Sequence, residues 1–210
     1  MNQQANNKQR FIWILLLLLS TAGLVVSLYS AHSHYKNYTD PLYSSFCAIS
    51  KAINCDTVSQ SPWSIFLNIP VGWWGVLFYL FFFVLLVTEK YQAVRAWQGF
   101  FFISLFASII TLGLAGIAAW KIKSLCLVCL IIYTITFALT YTCWIGKRRC
   151  KEAAQADEHT TCTSLSAKNR MLRHYGIAAS VFITGILLLH FFLPRYWEVS
   201  SVATEIDNQP

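Results

Sequence analysis

Five long apolar runs divide the chain, at Phe11–Tyr29, Val71–Thr88, Trp97–Trp120, Leu125–Ile145 and Tyr175–Leu193, with polar or mixed segments between them. Each approaches the roughly 20 residues that a helix needs to cross about 30 Å of hydrocarbon. The pattern predicts an all-α membrane protein with five transmembrane helices. The first run follows Lys8 and Arg10 and precedes the small residues Ser30 and Ala31, as a cleaved leader would. Its apolar stretch of about 19 residues exceeds the usual 7–15 of a leader, so a retained anchor is expected.

The polar segments sort by character. Residues 1–10 read as a cytoplasmic tail. The outer loop, 31–70, carries too much Phe, Trp, Ile and Leu for a solvated linker, and SPWSIFLNIP (61–70) reads as an amphipathic segment lying over the bundle like a lid. Around Cys47, SSFCAISKAINC has apolar residues at helical spacing. Residues 147–174 read as a polar cytoplasmic linker to a fifth helix at 175–193, and 194–210 as a periplasmic tail. Gly113, Gly116, Gly176 and Gly185 are expected to be close-packing sites between helices.

Composition and charge agree with this topology. The 210 residues are 56% hydrophobic and only 12% charged, which leaves no room for a large second domain. With the N-terminus cytoplasmic, the inner side holds Lys8, Arg10, Lys90, Arg95, Lys147, Arg148, Arg149, Lys151, Lys168, Arg170 and Arg173, which is 11 of the 16 basic residues. Lys36, Lys51, Lys121, Lys123 and Arg195 fall outside, with the acidic Glu198, Glu205 and Asp207. The net charge of +7 follows from topology and gives no reason to invoke nucleic acid. The GKRRCK run at 146–151 is an inner anchor first and a lipid-headgroup contact second.

The same topology sorts the seven cysteines. Cys47 and Cys55, and the CxxC pair Cys126 and Cys129, face one outer compartment where disulfides persist. Two pairs on one side allow electrons to pass between them by thiol-disulfide exchange. A helix N-terminus favours a thiolate, and Lys121 and Lys123 add positive charge upstream. Cys129 is expected one turn deeper than Cys126, and Tyr133, four residues further on, shares its helix face and can offer a phenol to a buried carbonyl. Cys143, Cys150 and Cys162 fall on the inner side and read as incidental small apolar residues.

Several of these residues together carry a family resemblance. The run from Cys47 to Cys55, CDTVSQS from Cys55 to Ser61, Ile69 and Pro70, Gly75 ahead of LFY, and CLVCLIIY from Cys126 to Tyr133 resemble the vitamin K epoxide reductase family in its bacterial form. The resemblance covers roughly residues 11–145. It implies a four-helix transmembrane bundle around a quinone pocket, occupying 11–146, with the fifth helix added. It implies that Cys47 exchanges with a reduced thioredoxin-like protein and passes electrons to Cys55. Cys55 then exchanges with Cys126, and Cys129 contacts and reduces the quinone. Tyr133 matches a tyrosine that hydrogen-bonds the quinone, and Ser61 a serine that supports the cysteine segment or the pocket. An asparagine position of the vertebrate enzymes aligns with Val71, which weighs for a simple quinone, ubiquinone or menaquinone, over the epoxide.

Trp63, Phe66, Trp73, Trp74 and Phe78 suit a flat apolar ligand, of which Phe66, Trp74 and Phe78 are the candidate pocket residues. Many bacterial relatives carry a fused thioredoxin-like domain after a fifth helix. Here about 17 cysteine-free residues follow it, so a separate periplasmic thioredoxin-like thiol oxidase is the expected partner, and the bacterial inner membrane the expected location. No metal is required. The competing readings are the other bacterial quinone-linked disulfide generator, whose CxxC comes in its first outer loop, a metal-binding or metal-transporting protein with a four-thiolate site near His32 and His34, and a scaffold stapled by structural disulfides. The resting disulfide pairing stays open at this level.

Overall fold

The computed structural model describes residues 2–50, 53–88, 94–156 and 165–197. Lys51, Lys90, Cys162, Glu198, Glu205 and Asp207 lie outside them. Six α-helices are described: α1 (Asn2–Thr39), the short α2 (Cys55–Ser59), α3 (Val71–Thr88), α4 (Val94–Ile117), α5 (Leu127–Ala156) and α6 (Leu165–Phe192). Five of these are long and apolar enough to cross a membrane, in the order expected from the five runs.

α1 outlasts its apolar run by about two and a half turns at its N-terminal end and nearly three at its C-terminal end. The AHSHYKNY stretch contains no glycine or proline to stop it, and the helix ends where Pro41 forces the preceding residue out of the helical region. Asp40 then accepts the Leu42 N–H at 3.1 Å and turns the chain. The outer loop therefore begins at residue 40 and not at 31. The expected linker is also largely helical, because the inner basic run continues α5 to Ala156 and α6 already starts at Leu165.

α1 packs against α3 and α5, α4 against α5, and α6 against α3. The first four thus form a bundle, with α6 on its flank. The half away from the paired cysteines Cys47 and Cys55 is solid, built on fully buried Leu16, Tyr79, Phe82, Trp97, Phe100, Leu139 and Cys143. Trp13 meets Trp97 and Phe100 edge-on at 5.3 and 5.5 Å. Lipid tails are as apolar as these side chains, so contact packing and interhelical hydrogen bonds hold the helices together. The Tyr79 hydroxyl bonds Thr136 at 2.9 Å, Ser20 donates to the Tyr79 carbonyl at 3.1 Å, and Ser108 meets Thr140 at 2.8 Å. Each such bond is worth about 0.6 kcal/mol, up to nearly 2.

The close-packing glycines are not those expected. A Cβ at Gly113, Gly116 or Gly176 would meet nothing within 4 Å, and of the four only Gly185 has a near neighbour, Leu77. Gly72 is where helices touch most directly, since a Cβ there would lie 2.8 Å from the Ala31 backbone nitrogen. This close crossing of α1 and α3 sits at the level where the bundle opens into a cavity.

Candidate redox and ligand site

The expected helical segment around Cys47 is a turn, with the Ala48 N–H bonded to the Ser45 carbonyl at 3.1 Å. Helix formation resumes only at Cys55, because Asn54 caps α2. Its side-chain oxygen accepts the N–H groups of Asp56 and Thr57 at 2.9 and 3.2 Å. Asp56 reaches back from α2 and accepts the Ser45 N–H at 3.1 Å, and the Ser45 hydroxyl lies 3.5 Å from the Cys47 sulfur. These bonds strap the two cysteine segments together. Cys47 and Cys55 form a disulfide with their Cα atoms 5.6 Å apart.

The second pair is brought alongside by backbone pairing. Ile53 forms an isolated parallel bridge with Leu125, the Asn54 N–H donates to the Leu125 carbonyl at 3.0 Å, and Ser124 donates to the Asn54 carbonyl at 3.3 Å. Cys55 and Cys126 each follow this stitch directly. The approach is prepared by a π-helical turn, Ala118–Ile122, and by Lys123 in the left-handed region at φ 56°. Cys47, Cys55 and Cys126 consequently share one buried cluster, against which Cys129 packs.

Cys126 and Cys129 carry no bridge. The Cys126 thiol is held below its ordinary pKa, first by a hydrogen bond from the Cys129 thiol and also by backbone N–H donors, including that of Cys129 at 3.2 Å. Burial and the Asp56 carboxylate oppose the shift. A lowered pKa means that thiolate is present at lower pH than in a free thiol. In the reduced protein, the pH midpoint of Cys126 alkylation is therefore expected below that of a short soluble peptide spanning 121–132. It should move up in Cys129→Ala, and coincidence of the protein and peptide profiles would refute the assignment.

Below the sulfurs lies a cavity of about 610 Å³, walled by all five long helices and by the outer loop. Cys55, Cys126, Cys129, Tyr133, Ser61, Trp74 and Phe78 all line it. The Tyr133 hydroxyl has no hydrogen-bond partner among the described residues. Ser61 donates to the Val58 carbonyl at 2.7 Å and so closes the end of α2. Trp74 donates through its indole N–H to the Phe66 carbonyl at 3.1 Å.

Phe66 itself is not on the cavity wall. SPWSIFLNIP does not form one amphipathic element but a 3-10 turn (Pro62–Ser64) and a two-residue-turn hairpin, β1 (Ile65–Phe66) with β2 (Ile69–Pro70). Leu67 and Asn68 take φ of 53° and 57° at its tip. The strand directs Phe66 outward, 60% exposed, with its ring against Trp74. Cys47 is fully buried and does not line the cavity.

The residue pattern does not single out Asp56 or Asn54, and it offers His34 only beside a metal site. The Asn54-Cys-Asp-Thr run carries a readable capping signal, whereas nothing in the sequence marks a lone histidine on α1 as a cavity residue. Among the described residues, no group of three or more His, Cys, Asp or Glu is placed to hold a metal ion. Compared with known families, residues 14–144 match the model of the vitamin K epoxide reductase family.

Proposed function

The chain belongs to the vitamin K epoxide reductase family, a family of membrane thiol-disulfide oxidoreductases associated with quinone, and from that premise we propose that it generates disulfides de novo. In this reading it oxidises a separate thioredoxin-like protein and delivers the electrons to ubiquinone or menaquinone. Residues 11–146 form the catalytic bundle. The protein lies in a bacterial inner membrane with its N-terminus cytoplasmic and its cysteines toward the periplasm. The observation that carries the reading is the packing of four cysteines against one another, three of them (Cys55, Cys126 and Cys129) on the wall of a large apolar cavity.

The cavity residues fit a quinone. It is large and lined by aromatic and aliphatic side chains, and Tyr133 lines it with no hydrogen-bond partner for its hydroxyl among the described residues. A quinone bound there supplies an acceptor for two electrons and two protons. Tyr133 holds a carbonyl oxygen by hydrogen bonding, while Trp74 and Phe78 flank the ring and Ser61 keeps α2 and its Cys55 in register.

The sulfur chemistry balances at each exchange. A dithiol partner attacks the Cys47–Cys55 disulfide and leaves as a disulfide, reducing both residues to thiols. Cys55, as thiolate, attacks Cys126 of a Cys126–Cys129 disulfide and releases Cys129. Cys47 then attacks Cys55, restoring the outer disulfide and leaving Cys126 reduced. The pairing observed, outer disulfide with inner dithiol, corresponds to the state after this transfer. Cys126 and Cys129 then close to a disulfide as they release the electron pair.

Anaerobic quinone reduction by the purified protein, with a reduced thioredoxin-like donor, tests the reading. Turnover with either quinone is expected. Tyr133→Phe should raise the quinone KM about fivefold, the worth of one hydrogen bond of roughly 1 kcal/mol. Absence of thiol-dependent quinone reduction would remove the proposal.

A further inference from the structure

Outside the sulfur relay, the most extended polar feature is a chain of side-chain hydrogen bonds running from the end of α6 to the outer loop. The Tyr196 hydroxyl lies 2.8 Å from His34 Nδ1, His34 Nε2 lies 3.3 Å from the Ser64 hydroxyl, and Ser64 donates to the Ser61 carbonyl at 2.7 Å. The bond from Ser64 to a carbonyl sets the direction of the others. The single Ser64 proton goes to a carbonyl, which cannot donate, so Nε2 must carry the proton that it offers to Ser64. In the neutral ring, Nδ1 then accepts from Tyr196. Burial, with Tyr38 and Tyr35 beside it, pushes the Tyr196 phenol well above its ordinary pKa, so it remains a donor.

Packing reinforces the chain. The Tyr196 ring sits among His34, Tyr35 and Tyr38 of α1 at centroid distances of 5.7, 5.1 and 5.9 Å. His34 is buried, 5% exposed, and together with Ser61 and Ser64 it lines the large cavity. The far end of the chain, Ser61, closes α2, which carries Cys55. The segment after α6 is thereby coupled to the turn that walls the cavity beside the sulfurs.

We propose that His34 and Tyr196 are positioning residues that latch the 61–64 turn over the quinone cavity, so that the end of the fifth membrane helix completes the ligand site. The latch rests on the reading of the cavity as the quinone site, and the experiment separates the two. Hydrogen exchange of the peptide covering 58–66 and quinone-reduction kinetics are measured on the full chain in lipid nanodiscs. Tyr196→Phe, which removes one hydroxyl, and His34→Ala should each raise exchange of this peptide about fivefold and the quinone KM by a similar factor, with kcat within about twofold. His34→Gln offers Ser64 an amide N–H and should retain most of the wild-type behaviour. Tyr35→Phe keeps the ring contact and should change neither readout. Unchanged exchange in Tyr196→Phe would overturn the latch, as would a fall in kcat at constant KM. Quinone protection of the wild-type peptide judges the cavity separately, so its absence alongside raised exchange in the variants would leave the latch standing and remove the quinone reading.

Discussion

Cys129→Ala is expected to lower steady quinone reduction by on the order of 10³-fold or more, the scale on which loss of a reacting group is felt. In the proposed relay Cys126 and Cys129 close on each other to release an electron pair, and without Cys129 the remaining thiol has lost that partner. Its nearest alternative is Cys55, which shares its buried cluster and is held beside it by the Ile53–Leu125 bridge. Mild oxidation of Cys129→Ala should therefore accumulate a Cys55–Cys126 disulfide with Cys47 left as a thiol, detectable as a cross-linked peptide pair by mass spectrometry. Loss of a partly exposed thiol leaves no large void, so the thermal midpoint should stay near wild type. Turnover within tenfold of wild type would mean that this pair is structural.

Cys47→Ala is expected to divide the donors. With a thioredoxin-like protein as donor, turnover should fall by about 10³-fold, because the first exchange has lost its sulfur. With a small dithiol it should fall only severalfold, since such a reductant can act on Cys55 or the inner pair directly. Cys47 is fully buried with its disulfide formed, while Leu42, Phe46 and Ile49 around it are 95%, 62% and 67% exposed. Those side chains offer an apolar rim to a docking protein. The Asp56–Ser45 strap must loosen for the sulfur to be reached. An equal loss with both donors would place Cys47 in the structure of the loop and not in partner exchange. A mixed disulfide of the partner trapped at Cys126, and never at Cys47, would reverse the assigned order.

Much of this organisation is legible in the residue pattern. Apolar runs of membrane-spanning length depend on composition alone, so the five spans stand close to where hydropathy places them. The four cysteines and Tyr133 are identified by type and spacing, and the structure brings Cys55, Cys126, Cys129 and Tyr133 to one cavity, with Cys47 packed behind them. Misreadings arise where neighbours decide. Aromatic character alone groups Phe66 with Trp74 and Phe78, yet a two-residue turn with left-handed Leu67 and Asn68 directs it outward. Gly113 and Gly116 look like packing residues by spacing, but what faces a glycine belongs to another helix and is not encoded locally. Hydropathy starts the outer loop earlier than the helix ends, because polar residues beyond the apolar run do not end a helix by themselves, whereas Pro41 does.

The sequence by itself determined the class of the protein, its span count and the chemistry of its sulfurs, because these follow from side-chain type and from the length needed to cross hydrocarbon. Tertiary structure decided which sulfurs meet, since the parallel stitch at Ile53 and Leu125 joins segments about 70 residues apart that no local pattern relates. It also decided the wall of the cavity, bringing His34 of α1, Ser64 of the loop and Tyr196 beyond α6 into one hydrogen-bonded chain. The physical reason is the same in both cases. A hydrogen bond or a sulfur exchange requires atoms to come within a few ångströms, and only the packing of helices distant in sequence supplies that proximity.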